Sequence, residues 1–361
     1  MLRNSPGVLL VASLLALGCR SKSADEPPPP LPRAAPEPPK PVSPTLLARL
    51  PTDDSGSGPH DIAVDSTNVY VTWQDWKNEK DDLPAKIIQI PLAGGPPKEL
   101  ATRQHGGQSI VATNNGLFWL VAGPESAVTK GSVMRILLKG GRPTSVAKAF
   151  VASDAALVAD EENLYFGDYG SANEAQLFKM PISGGKRQVL VPKTDDSIVT
   201  LAVDKANAYW VTIKAIMKVP LSGGAAVELV KEKVSKSDVW GLASDGTHLY
   251  WTDRNNDGLA NHQPDENQFP SAVRRVPVSG GPVETVADHL RYRPFGIAVD
   301  STNVYWVINA DHRGAIMRTS KSGGTPTILV DGQRSPAYLA LDANYVYWCN
   351  IGDGLVARIP K

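Results

Sequence analysis

Cysteine is almost missing from this sequence: Cys19 and Cys349 are the only two among 361 residues. A disulfide-stapled fold is thereby excluded, and stability has to come from a core. An excess of one charge is missing too. Lys and Arg total 37, Asp and Glu total 37, and no basic run exceeds two residues, as at Lys186-Arg187. Nucleic-acid partners need clustered basic residues, so that class of function is set aside. The one long apolar run, "GVLLVASLLALG" at 7–18, is too short to span a bilayer as a stable helix. The six histidines are scattered, none in H-x-x-x-H spacing. No G-x-S-x-G elbow and no glycine-rich phosphate loop occurs. Helical periodicity is nearly absent after the first segment.

What the chain does have is punctuation: 31 Gly and 30 Pro, with 42% hydrophobic and 20% charged residues, a globular composition. The first residues read as an export signal, Arg3 followed by the apolar run and then Gly18-Cys19. A small residue before cysteine resembles the lipobox of bacterial lipoproteins. That resemblance implies a signal peptide over 1–19, cleavage, and Cys19 as a lipidated N-terminus. Residues 20–43, "RSKSADEPPPPLPRAAPEPPKPVS", form a tether. Proline fixes φ and removes donors, so such a segment stays extended and cannot make a core. The expected address is the cell envelope, with the folded part held off a membrane by its lipid. Cys349 sits in an apolar strand pattern and reads as an inert buried thiol.

From residue 44 onward one phrase recurs. "DIAVDSTNVY" at 61–70 returns as "GIAVDSTNVY" at 296–305, and seven related copies begin at Ile62, Ile110, Leu157, Leu201, Leu242, Ile297 and Leu339. Eight positions after each aliphatic comes an aromatic: Tyr70, Phe118, Tyr165, Tyr209, Tyr250, Tyr305 and Tyr347. Five copies add a Trp directly after it, at 119, 210, 251, 306 and 348. Each copy parses as a short strand, a turn such as "DSTN", and a β-branched and aromatic strand. A third strand and a Gly-Gly hairpin follow in six copies, as in "MRTSKSGG", and then a fourth strand such as "PTILV" at 326–330.

Four antiparallel strands per unit at this period predict an all-β fold, a seven-bladed β-propeller over 44–361. The seventh copy stops at "VARIPK", before its hairpin and fourth strand. "PTLLA" at 44–48 resembles "PTILV", so the N-terminal strand is expected to complete the last blade and close the ring. Closure removes an unpaired edge. The Tyr-Trp pairs, with "YWTD" verbatim at 250–253, resemble YWTD propellers, and the "GIAVD" strands resemble NHL and streptogramin-lyase-type propellers. The resemblance implies the fold, and sites built around a central channel.

The recurring Asp at the end of the inner strand (Asp65, Asp160, Asp204, Asp245, Asp300, Asp342) and the basic residue of the third strand read as scaffold, the Asp capping its turn. The turns and hairpins share one face. The opposite face collects the long variable loops, where binding is expected. There, His60, Gln108, Trp240, Phe295 and Tyr338 stand near the predicted channel mouth and suit a ligand platform. "DRNNDGLAN" places Asp253, Asn255, Asp257, Gly258 and Asn261 at places 1, 3, 5, 6 and 9 of a calcium-loop pattern, although Pro264 stands where the last glutamate belongs. The alternative is a solvated insertion turned by Asp-Gly. Apart from calcium no cofactor is expected, and the protein is expected to be a monomer. Two functions compete: a non-catalytic surface lipoprotein binding a protein, peptide or glycan, and an exported lyase or hydrolase at the channel. The enzyme needs convergent acid-base groups, and only His60 and Asp61 offer themselves. Binding is the expectation.

Overall fold

The computed structural model describes residues 42–53, 56–75, 84–105, 109–121, 131–149, 156–169, 175–194, 198, 200–212, 215–231, 239–254, 271–290 and 292–361. The signal segment, Cys19 and the tether up to residue 41 lie outside them. Val42–Lys361 forms one compact unit. Its described residues hold 28 strands and no helix, arranged as seven four-stranded antiparallel sheets. The fold is an all-β seven-bladed propeller.

Blade 6 shows the common plan: Arg293–Val299 innermost, then Asn303–Asn309, Gly314–Ser320, and Thr327–Gln333 at the rim. Glycines at the hairpin before the rim strand have φ of 87° and 125° at Gly323 and Gly324. A side chain is strained in that region, hence the repeated Gly-Gly. The inner strands of blades 1 to 5 are Gly58–Val64, Ile110–Thr113, Leu157–Ala159, Leu201–Val203 and Val239–Ser244. Blade 7 is assembled from both ends of the unit. Pro336–Leu341, Tyr345–Asn350 and Leu355–Pro360 pair in order, and Thr45–Arg49 adds the rim strand. Its register sets Thr45 opposite Arg358, Leu46 opposite Ala357 and Ala48 opposite Val356. The Leu50 N–H donates to Gly354 O at 2.8 Å, and Arg49 pairs with Asp353 at 3.0 Å.

The cores lie between blades. Tyr305, Val307 and Ile316 of blade 6 pack on Val346, Trp348 and Ile359 of blade 7. Blade 7 packs on blade 1 through Tyr347, Cys349 and Val356 against Ile62, Val69 and Ile90. The largest fully buried side chains are the five repeat tryptophans and seven repeat aromatics. Cys349 is completely buried, and burial pushes its thiol pKa well up.

The recurring Asp does cap its turn. Asp65 Oδ1 accepts the Thr67 and Asn68 N–H groups at 2.7 and 2.8 Å. Its second oxygen does something the sequence reading did not anticipate. Oδ2 accepts the Tyr70 hydroxyl at 2.7 Å, and the same Asp–Tyr bond recurs from Tyr165, Tyr209, Tyr250, Tyr305 and Tyr347 to the Asp five residues earlier. Burial comes first among the causes that raise the tyrosine pKa values, and the carboxylate bond adds to it. Blade 2 has Thr113 and Phe118 at these two places, so carboxylate and hydroxyl vanish together. Directly across from the tyrosines of blades 3 to 7 stands the third-strand cation: Lys179, Lys218, Arg275, Arg318 and Arg358. Tyr347→Phe is expected to cost about 1.5–3 kcal/mol in urea unfolding, the range for a lost bond to a charged acceptor. In an Asp342→Ala background the same change should cost far less.

Candidate functional site

Seven inner strands meeting at one axis leave a channel, and its wall is set by the residue just before each "IAV" aliphatic. Those residues are Asp61, Ser109, Ala156, Thr200, Gly241, Gly296 and Tyr338, all of which line a cavity of about 240 Å³. Gly241 is required by packing: a Cβ there would come within 2.6 Å of Phe295 O and 2.9 Å of the Ile297 backbone N. Small residues at blades 5 and 6 let their strands converge and leave room at the axis.

Three of these residues also lace neighbouring blades together. The Ile110 N–H of blade 2 donates to Asp61 Oδ2 at 3.0 Å, and the Ile62 N–H donates to Oδ1 at 2.8 Å. Ser109 accepts the Leu157 N–H and donates to the Leu157 carbonyl, each at 3.2 Å. Thr200 donates to the Val239 carbonyl at 3.3 Å. Among the described residues, Asp61 is the only Asp, Glu, Lys, Arg or His side chain lining the cavity. Burial pushes its carboxyl from the ordinary 3.8 up to about 7, against the pull of the two backbone donors.

The aromatic candidates gather in two pairs. His60 and Tyr338 lie with ring centroids 5.6 Å apart, and Trp240 and Phe295 with centroids 5.0 Å apart. Trp240 keeps 41% of its surface exposed, unlike the repeat tryptophans of the core. It lines the cavity together with Tyr338. Arg254, which sequence reasoning missed, lays its guanidinium 4.3 Å from the Trp240 ring centre and 4.2 Å from that of Phe295. Such stacking fixes both rings and brings a positive charge to the rim. Gln108 lies outside the described residues.

Of the calcium candidates, Asn255, Asp257 and Asn261 lie outside the described residues. Asp253 is nearly buried and holds Arg274 Nε at 2.5 Å through Oδ2. A cation at Asp253 therefore has to compete with a guanidinium already in place. Among the described residues no three His, Cys, Asp or Glu side chains converge as a metal site.

Solved structures resemble this fold. Hydrazine synthase from Kuenenia stuttgartiensis matches with TM-score 0.62 at 15% identity, over 86% of this chain and 97% of that one. The β-propeller domain of the Trilobed protease from Pyrococcus furiosus, described as having an open velcro topology, gives 0.58 at 8% identity over 83% and 94%. The Neurospora crassa Pan2 WD40 domain gives 0.57 at 10% identity over 87% and 94%. At such identities the likeness is one of fold. No protein-family model and no curated protein sequence matches the chain.

Proposed function

We propose that the chain is a cell-envelope lipoprotein, anchored through Cys19 and spaced from its membrane by residues 20–43, whose propeller binds a ligand without transforming it. The ligand is a protein, peptide or glycan engaged at the mouth of the channel. The observation that carries the reading is the make-up of the central cavity. One wall offers the half-exposed Trp240 and the ring of Tyr338, while the only carboxylate among the described lining residues, Asp61, is committed to backbone N–H groups of two blades. Aromatic surface held rigid beside a few polar groups is the chemistry of recognition. Acid-base catalysis needs a second group placed to exchange the proton, and among the described residues this lining holds no His, Lys, Arg, Glu or second Asp. The second reading, an exported lyase or hydrolase, draws on the raised pKa of Asp61, since perturbed groups concentrate at catalytic sites. The interblade bonds explain Asp61 without it.

The test is a peptide and glycan array probed with the tetherless propeller (residues 42–361) and with its Trp240→Ala variant. Ligands captured by the first should be weakened about tenfold or more on the second, the usual cost of removing a central aromatic. Capture unchanged by Trp240→Ala removes the channel mouth from the account. Lipidation is tested separately: Cys19→Ser should move the full-length protein from the membrane fraction to the soluble one.

A further inference from the structure

The six Asp–Tyr turns lie on the face opposite the proposed ligand mouth, and the differences among them are informative. In blade 5, Asp245 Oδ2 holds the Lys321 ammonium of blade 6 at 2.6 Å. In blade 6, Asp300 Oδ2 holds the Lys361 ammonium of blade 7 at 3.2 Å. Both lysines stand three residues after the cation that faces the repeat tyrosine (Arg318, Arg358), and each reaches back to the preceding blade. The fold thus seats an alkylammonium on this turn twice.

Blade 1 has the same carboxylate with neither source of positive charge. Gln89, not Lys or Arg, stands opposite Tyr70. The residue of blade 2 that corresponds to Lys321 is Leu138, three places after Arg135. Between the two blades a cleft of about 370 Å³ opens, lined by Asp65, Thr67, Tyr70, Thr113, Asn114 and Leu138 among others. Among the described residues, Asp65 is the only charged one in its lining. Oδ2 accepts the Tyr70 hydroxyl, and a carboxylate oxygen has room for a second donor. Several neutral oxygens around it suit the remaining N–H groups of an ammonium, and Leu138, 39% exposed, suits an alkyl stem.

We infer that the cleft between blades 1 and 2 is a binding site for a primary alkylammonium group from outside the chain, seated on Asp65 as Lys321 and Lys361 are seated on Asp245 and Asp300. The source is either a lysine side chain of a polypeptide or a free amine. This site is independent of the channel reading and stands or falls separately.

The test is an NMR titration of the propeller, reading the Thr67 and Asn68 amides that donate to Asp65. The probes are n-butylammonium, Nα-acetyl-lysine amide, and tetramethylammonium as a cation with no N–H. The first two should give saturable shifts with dissociation constants of about 1 mM or weaker, as for a partly solvated ion pair. Tetramethylammonium should leave those amides unmoved. Tighter binding of the lysine amide identifies a polypeptide source, and equal binding a free amine. Leu138→Lys supplies the ammonium from within, so it should abolish both titrations and raise Tm by about 1–3 °C. Leu138→Gln controls for the lost leucine and should keep the titrations. Equal shifts with all three cations, no saturable shift, or titrations that survive Leu138→Lys would each overturn the assignment.

Discussion

A propeller starting at Pro51, without the Thr45–Arg49 strand, is expected to lose about 5–10 kcal/mol, comparable with the whole stability of a domain, and to be recovered as aggregate. The deletion removes buried Ala48 and Leu50 from the wedge between blades 7 and 1. It also strips the hydrogen-bond partners from one edge of Leu355–Pro360, leaving a strand edge ready to pair with another molecule. Because the missing strand holds a ring shut, the loss should reach the blade 1 interface as well as blade 7. A subtler variant separates closure from mere loss of residues. Gly354 has φ +68°, and a Cβ there would sit 1.9 Å from Leu50 O, the residue whose N–H bonds to Gly354 O. Gly354→Ala keeps every residue of the strand, yet should cost about 1–3 kcal/mol through strain at the clasp. Thermal unfolding by circular dichroism, with size-exclusion of the soluble fraction, measures both. A deletion variant that melts as the parent does would mean the ring does not depend on its N-terminal strand.

The second large effect concerns pH. The Asp61 carboxyl is raised from 3.8 to about 7, so between those values the folded state binds a proton that the unfolded chain has released. Stability therefore falls as pH rises through this window. The span corresponds to about 2–4 kcal/mol once solvent in the channel is allowed for. Ser109 and Thr200 show that a hydroxyl can lace adjacent blades without charge. Asp61→Ser is accordingly expected to be less stable than the parent near pH 4. It should gain relative to the parent by about 2–4 kcal/mol on going to about pH 8. Urea unfolding at several pH values gives the difference directly. A difference that stays constant across the window would show that the carboxyl titrates in its ordinary range.

The architecture was legible because the sequence states it seven times. A spacing of eight between aliphatic and aromatic survives every copy, and "PTLLA" betrays the displaced rim strand through its likeness to "PTILV". The hydroxyl bond from tyrosine to the turn carboxylate was readable in principle and was missed. Blade 2 replaces Asp with Thr113 and Tyr with Phe118 together, the paired change expected of two groups in contact. The tyrosine rings fill the core while their hydroxyls, at the polar end, reach the turn carboxylate. Gln104 and Gln333 were equally hidden. Each accepts the indole N–H of the next blade's tryptophan, Trp119 and Trp348, at 3.1 and 2.9 Å. These contacts join rim strand to neighbouring blade, and both span the same 15 residues, a spacing that only two of the five repeat tryptophans display with a Gln.

The candidate site was legible in part for a similar reason. The places before the "IAV" aliphatic are periodic, so Asp61 and Tyr338, one residue before it, and Trp240, two before it, could be placed at the axis from the repeat alone. Arg254 could not. It follows the second strand of blade 5, outside the repeated phrase, and its guanidinium stacks on the Trp240–Phe295 pair. Asp61 was seen as half of an acid-base pair with His60. In the fold its carboxylate faces the blade 2 backbone, and the His60 ring lies against Tyr338.

Amide hydrogen exchange on the propeller, with and without an array-selected ligand, asks most directly where recognition occurs. Bound ligand should slow exchange at the mouth-side starts of the inner strands, around Trp240–Leu242, Gly296–Ile297 and Tyr338–Leu339, and leave the rim strands unchanged. Protection confined to the rim strands or to the Asp–Tyr turns would contradict the account.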